Sequence, residues 1–391
     1  MNIKFPLATS SWDACEYDAL QEVIDSGHFS MGPKVAECER NFATFFGSSF
    51  AVMVNSGSSA NLLMIAALMF RQSNKLAPGD EVIVPAVSWS TTYYPLTQYG
   101  LKLVFVDIDR DTLNYDLNAL EEAAQSKAVK LIMCVNLLGN PNDFSSILTI
   151  AEKNGQEIIE DNCESMGASL NGKMAGTWGV AGSFSSFFSH HISTMEGGFV
   201  VTDDEELYHL MLSLRAHGWT RNLPDDNLIC KKNQDYFEES FRFILPGYNL
   251  RPLEISGALG IEQIKKLPSI IQGRRENAIK FLEAIKPFSF ISSQKEIGTS
   301  SWFGFSITLD EKTDKDRSHF LKIFNTHGYE VRPVVAGNFT KQDVMKYLNH
   351  RIHGDLKNAN YVDSNSFFIG NHHYPMTDAL NELPNVLETC K

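Results

Sequence analysis

From Phe50 to Asn162 the chain alternates short β-branched runs with stretches of helical spacing, and this alternation limits the fold more than any other feature. "FAVMVNSG" reads as a strand running into the helix "SSANLLMIAALMF". "DEVIVPA", "LKLVFVDID", "VKLIMCVN" and "QEIIEDN" are further strands, with helical spacing in "DLNALEEAAQ" and "DFSSILTIAEKNG" between them. Such alternation predicts an α/β fold, a mostly parallel sheet covered by helices on both faces. "GSFSSFF" and "GGFVVTD" add two closely spaced strands, followed by the helix "DEELYHLMLSLRAHG". The texture then changes: residues 222–240 are polar and irregular and read as a long loop. Beyond 251 come a helix, "EISGALGIEQIKKL", a long helix, "IIQGRRENAIKFLEAIK", and strands around "SWFGFSITLD" and "YEVRPVV". The 391 residues suit two domains, a large one at 1–250 and a smaller C-terminal one at 251–391.

Charge and cysteine usage exclude several classes. A net charge of −13 argues against a general affinity for nucleic acid or anionic membranes. The longest apolar run, 62–70, is too short to span a bilayer, and the start lacks the apolar stretch of a signal peptide. Cys15, Cys38, Cys134, Cys163, Cys230 and Cys390 are scattered, with neither metal-like spacing nor a disulfide framework. The expectation is a cytoplasmic protein without structural zinc.

Four motifs carry chemistry. In "NSGSSAN", a glycine and serines between strand and helix form either a phosphate cradle or an ordinary turn. Asp161 closes an apolar strand, where ligands gather in open α/β sheets; it is a partner for a protonated ring nitrogen or a capping carboxylate. Trp89 follows a strand end, to stack on a flat ring or to fill the core. "GSFSSFFSHHISTMEGG" sets hydroxyls beside His190 and His191, which as neighbours point apart and make a poor metal chelate.

Together with "GPKVAECERNFATFFG", "FVDID" and "GYNLRPLEISGALGIEQIKKL", these segments make the whole chain resemble the sugar aminotransferases, pyridoxal-phosphate enzymes of fold type I. The resemblance implies a mostly parallel central sheet plus a smaller C-terminal α+β domain. It implies that Gly57 and Ser58, helped by Ser185, grip the cofactor phosphate, and that Trp89 stacks on the pyridine ring. Asp161 would pair with the ring nitrogen, and Glu164, where relatives often carry glutamine, would lie near the ring hydroxyl. Asn249 would reach the cofactor phosphate of a neighbouring subunit, which implies a homodimer with shared active sites.

One position departs from the family. Six residues before the glutamate of "EGG", the aminotransferases carry the lysine that anchors the cofactor; here that residue is His190. No lysine occurs from 174 to 230, and Lys173 reads as a turn residue. An imidazole cannot form a Schiff base, so the cofactor would sit untethered, which suits its amine form, pyridoxamine 5′-phosphate. With an ordinary pKa of about 6.5, a histidine can take up a proton near neutral pH and then protonate a departing sugar hydroxyl. A lysine amine would instead compete for the cofactor aldehyde and favour transamination. The residue type therefore points to dehydration, with a nucleotide-sugar aminotransferase acting on a 4-keto sugar as the alternative.

In the family that the chain resembles, members with this replacement are sugar 3-dehydratases. One group takes a CDP-linked sugar and carries an iron–sulfur cluster on clustered cysteines; the other takes a GDP-linked sugar and has none. The scattered cysteines and "RAHGWTRN" resemble the second group. This implies a GDP-linked 4-keto-6-deoxy sugar (4-keto-6-deoxymannose) as substrate, L-glutamate as amino donor, and a place in colitose-type O-antigen synthesis. His217, in "RAHGWTRN", is a second catalytic candidate in a supporting role; a helix-terminal histidine stabilised by the dipole is the alternative.

Overall fold

The computed structural model describes residues 3–391. Its strands are β1 (Phe50–Val54), β2 (Glu81–Pro85), β3 (Lys102–Val106), β4 (Val129–Val135), β5 (Glu157–Asp161), the short hairpin β6 (Ser169–Leu170) and β7 (Lys173–Met174), β8 (Gly182–Ser185) and β9 (Gly198–Thr202). Further on come β10 (Ile291–Ser292), β11 (Gly304–Leu309), β12 (Val331–Arg332), β13 (His350–Ile352) and β14 (Ser366–Gly370). The main sheet runs β1-β9-β8-β5-β4-β2-β3-β13, and a second runs β10-β11-β14-β12. All pairs of the main sheet are parallel except those made by β9, which is antiparallel to both β1 and β8.

The two-residue period of the strands explains the layering. Val82, Val84, Leu103, Phe105, Leu131, Met133 and Ile159 face one core with helix Gly57–Phe70. Their neighbours Ile83, Val104, Val106, Ile132, Cys134 and Ile158 face another, with helices Leu117–Ala124 and Phe144–Asn154. Helix Gly57–Phe70 is buried on almost every face, which accounts for its unbroken apolar run. Among the described residues, no helix is long and apolar enough to cross a membrane.

Two features differ from the sequence reading. The two helices expected after 251 are one, Glu254–Ile285, which runs through Pro268. An interior proline costs a helix roughly 3 kcal/mol. Burial of Leu267, Ile270 and Ile271 around it, against helix Pro33–Phe46 among others, offsets that cost. In addition, β13, from beyond residue 251, pairs with β3 and so extends the large sheet. The stretch 222–240 is irregular apart from the short helix Tyr236–Glu239.

Candidate active site

Because β1, β2, β5 and β8 run the same way, their carboxyl ends share one edge of the sheet, where open α/β folds bind ligands. After β1, the Ser56 hydroxyl accepts from Ser59 N–H at 3.1 Å and caps helix Gly57–Phe70. Gly57, the first helical residue, passes so close to β8 that a Cβ would sit 2.6 Å from Ser185 Cβ and 3.0 Å from Cys163 Sγ. Only glycine leaves this turn open. The exposed Ser58 hydroxyl donates to Thr91 Oγ1 at 3.0 Å, tying the turn after β1 to that after β2. Backbone N–H groups at a helix start, ringed by hydroxyls, make a ready phosphate cradle.

Asp161, at the end of β5, is buried and accepts three hydrogen bonds, which leaves one lone pair on Oδ1. Its Oδ2 accepts from Asn61 Nδ2 and Thr92 Oγ1, both at 2.8 Å, and Oδ1 accepts from Cys163 N–H at 3.2 Å. Ser183 Oγ donates to Asn61 Oδ1 at 2.5 Å and so fixes which way that amide points. Asn61 and Thr92 were missed in the sequence. The available signal was helical spacing: Asn61 stands four residues after Gly57, and Thr92 three after Trp89. Trp89 leads helix Ser90–Gln98 and is 58% exposed as a residue, so it is free to cover a flat ring. Glu164 Oε2 accepts from Leu138 N–H at 3.0 Å. Burial pushes its carboxyl up to about 7; the Leu138 bond opposes the rise and the Asp161 charge adds to it.

His190 lies in the loop joining β8 to β9. That loop is laced by Ser186 N–H to Gly197 O (3.0 Å), Phe188 N–H to Met195 O (3.1 Å) and the Ser186–Thr194 hydroxyl pair (2.7 Å). The imidazole is half-buried between Phe187 and Phe303, whose ring centroids lie 6.0 and 5.2 Å away. Its Nδ1 is 3.5 Å from Ser189 Oγ, and Nε2 has no protein hydrogen bond among the described residues. Burial first, and the Arg274 charge second, push its pKa down to about 4, so the free base dominates at neutral pH. Phe303 also links His190 to Glu164, since its N–H donates to Leu138 O at 3.0 Å.

Arg274, another residue the sequence did not single out, is buried within helix Glu254–Ile285. It donates to Phe303 O at 3.0 Å and Asn371 O at 2.8 Å. Burial lowers its pKa to about 10, with no carboxylate opposing the shift. His191 is buried, its Nε2 3.2 Å from the Ser301 carbonyl. The adjacent histidines therefore have separate partners.

His217 and Asn249 gather elsewhere, around Arg251. His217 lies two residues past helix Glu205–Arg215, in the left-handed region at φ 62°, and its N–H donates to Tyr248 O at 2.6 Å. Arg251 Nε donates to Asn249 Oδ1 at 3.0 Å, and Arg251 Nη2 lies 3.3 Å from His217 Nε2. No hydrogen bond joins this group directly to Asp161 or His190 among the described residues. Leu250 O does accept from Asn55 N–H at 3.0 Å, which sets the group beside the end of β1.

The sequence pattern of the DegT/DnrJ/EryC1/StrS aminotransferase family matches residues 11–386. The chain belongs to that family. Within it, GDP-4-keto-6-deoxy-D-mannose 3-dehydratase of Yersinia pseudotuberculosis is 56% identical over 388 residues, 99% of this chain and 98% of that protein. A solved structure of GDP-4-keto-6-deoxymannose-3-dehydratase, a histidine-to-asparagine variant with bound GDP-perosamine, matches with TM-score 0.97 at 54% identity. It covers 98% of this chain and 100% of that one. A structure of the dehydratase with a trapped PLP–glutamate geminal diamine matches with the same score, identity and coverage. The fold is thus the fold type I architecture that the motifs led to, with its mostly parallel sheet. The residues present fit a pyridoxal phosphate. There is an open cradle at Gly57 that a Cβ would fill, a carboxylate held at the sheet edge, and an uncovered indole.

Proposed function

We propose that this protein is a GDP-4-keto-6-deoxymannose 3-dehydratase using pyridoxamine 5′-phosphate. It removes the C3 hydroxyl to give GDP-4-keto-3,6-dideoxymannose, and L-glutamate restores the cofactor amine, in deoxysugar biosynthesis. The observation that carries the reading is His190 in the slot where the aminotransferases hold their lysine, with no lysine from 174 to 230. The likeness to two structures of the dehydratase, one with GDP-perosamine and one with a PLP–glutamate adduct, supports it.

When bound, the cofactor supplies an amine for the C4 ketone and an electron sink. Gly57, Ser58 and Ser185 would hold its phosphate, Asp161 its ring nitrogen, Trp89 its ring face and Glu164 its ring hydroxyl. His190 enters the reaction unprotonated, because burial and the Arg274 charge disfavour the imidazolium. The same two causes make that imidazolium a strong acid once Nε2 has accepted a proton. His190 therefore passes the proton on readily, and the C3 oxygen receives it as water leaves. Phe187 and Phe303 hold the ring and shield it from water. The loop offers no primary amine that would divert the reaction to transamination.

The reading includes a cytoplasmic homodimer in which Asn249 serves the cofactor phosphate of the neighbouring site, with His217 in a supporting catalytic role. The six free cysteines suit a reducing compartment. Tyr236, Phe237, Phe241 and Phe243, 56–86% exposed, suit a subunit contact. Borohydride reduction of the holoenzyme, with peptide mass analysis, tests the function. No cofactor–lysine adduct is expected; finding one would favour the aminotransferase alternative.

A further inference from the structure

Just past His190, residues 191–193 make no hydrogen bond to another backbone group among the described residues. Two side chains from outside the loop hold the main chain instead. Ser193 N–H donates to Gln263 Oε1 at 2.9 Å, and Ser193 O accepts from Trp12 Nε1 at 2.9 Å. Both backbone groups of one residue, three positions from the imidazole, thus depend on side-chain partners. Ser193 and Gln263 are buried, so water competes little for these bonds.

The Gln263 amide is not free to turn. Its Nε2 donates to Glu16 Oε1 at 2.6 Å, and Glu16 Oε2 accepts from Lys266 Nζ at 2.6 Å. A carboxylate facing Nε2 leaves Oε1 to meet Ser193 N–H, and Ser11 Oγ donates to the same oxygen at 2.7 Å.

Trp12 is placed from the other side. The segment before it lies along the second sheet: Glu330 N–H donates to Phe5 O at 3.0 Å, and a Cβ at Gly370 would sit 2.6 Å from Pro6 O. Burial, and then the Arg274 charge, lower the His372 pKa to about 4, so that ring is neutral near pH 7. Its Nε2 donates to Pro6 O at 2.9 Å, because a carbonyl only accepts, and its Nδ1 accepts from Thr9 Oγ1 at 3.2 Å. The indole meets the Tyr17 ring edge-on at 6.0 Å. Residues 5–12 are therefore fastened to the second sheet at one end and to the loop of His190 at the other.

We propose that Trp12 and Gln263 are positioning residues for His190, a clamp on Ser193 that fixes where the imidazole stands. Neither bonds to Gly57, Ser58, Asp161 or Glu164, so the clamp acts on the base and not on cofactor binding. A reacting group displaced by about 1 Å can lose about 100-fold in rate. The proposal rests on the reading of His190 as the base and names what holds it.

Steady-state kinetics on GDP-4-keto-6-deoxymannose with L-glutamate test it, comparing the parent holoenzyme with Trp12→Phe, Gln263→Met, Thr9→Val and His190→Asn. Trp12→Phe keeps an aromatic ring and removes the N–H; Gln263→Met keeps the length and removes the amide. Each should lower kcat about 5- to 100-fold, with KM and cofactor affinity within about threefold of the parent. Thr9→Val loosens the same segment without touching Ser193 and should keep kcat within about twofold. If Gln263→Met does not fold, Trp12→Phe decides alone. A kcat within about twofold of the parent in Trp12→Phe, while His190→Asn is inactive, overturns the clamp and leaves the base in place. Equal losses in Thr9→Val and Trp12→Phe, or cofactor affinity falling in step with kcat, also overturn it, since a merely structural strap behaves that way. Parent-like turnover by His190→Asn overturns the reading of the base itself.

Discussion

Replacing Asp161 by asparagine tests the geometry at the sheet edge. Both carboxylate oxygens accept hydrogen bonds: Oδ2 from Asn61 and Thr92, Oδ1 from Cys163 N–H. An asparagine must place its NH₂ in one of those two positions. In the Oδ2 place it would oppose the Asn61 amide at 2.8 Å and force the Thr92 hydroxyl to turn towards Ser88; in the Oδ1 place it would oppose only the Cys163 N–H, at 3.2 Å. The second arrangement costs less, and one buried unmatched donor is worth about 1–3 kcal/mol. Asp161→Ala strands the Asn61 amide and the Cys163 N–H and leaves a void, so it should cost more than Asp161→Asn. Urea unfolding of the cofactor-free protein measures both, and cofactor titration should show at least a tenfold loss of affinity in each. Equal stabilities for the two variants, or an asparagine variant within about 0.5 kcal/mol of the parent, would refute the network.

Three further outcomes follow from the same site. Gly57→Ala places a methyl 2.6 Å from Ser185 Cβ, so it should cost about 1–3 kcal/mol and weaken cofactor binding about tenfold or more, read by melting and titration. The folded His190 pKa, about 4, lies below the ordinary 6.5, so falling pH protonates the unfolded chain first. Stability fully present above pH 6.5 is then lost towards pH 4, by up to about 3 kcal/mol, and His190→Asn should flatten that limb in pH-dependent unfolding. Glu164 behaves in the opposite sense: its carboxyl ionises near 7 when folded and near 4.5 when unfolded, so the folded state loses ground as pH rises through that interval. Glu164→Gln should therefore stabilise the cofactor-free protein above pH 7 and change little below pH 4.5.

The strands of the parallel core were legible, though not their order in the sheet, because each buried strand is a short apolar run and most are followed by a helix. Asp161 and Gly57 stand at the ends of such runs and were singled out from position, while their roles, and that of Ser185, came from the family resemblance. His190 was found by counting, since the distance to Glu196 is a local property of one loop. What supports these residues was not legible. Asn61 and Thr92 meet Asp161 across 100 and 69 residues of chain, and Arg274 reaches the loop of His190 from a helix beginning at Glu254. Such contacts depend on how helices settle on the sheet, which no spacing rule encodes. The two helices expected after 251 are one for a related reason: tertiary burial overrides the local break that Pro268 would make. The left-handed backbone at His217 likewise has no signal in its residue type.

A histidine in the lysine slot turns an aminotransferase fold to dehydration. The most direct measurement is the mass of the product formed from GDP-4-keto-6-deoxymannose and L-glutamate by the holoenzyme, compared with its His190→Asn variant. The expected product is a sugar that has lost the C3 oxygen and kept its C4 ketone, with ammonia released, and the variant should form none of it. A product in which an amine replaces the ketone oxygen, or an undiminished yield of deoxysugar from the variant, would contradict it.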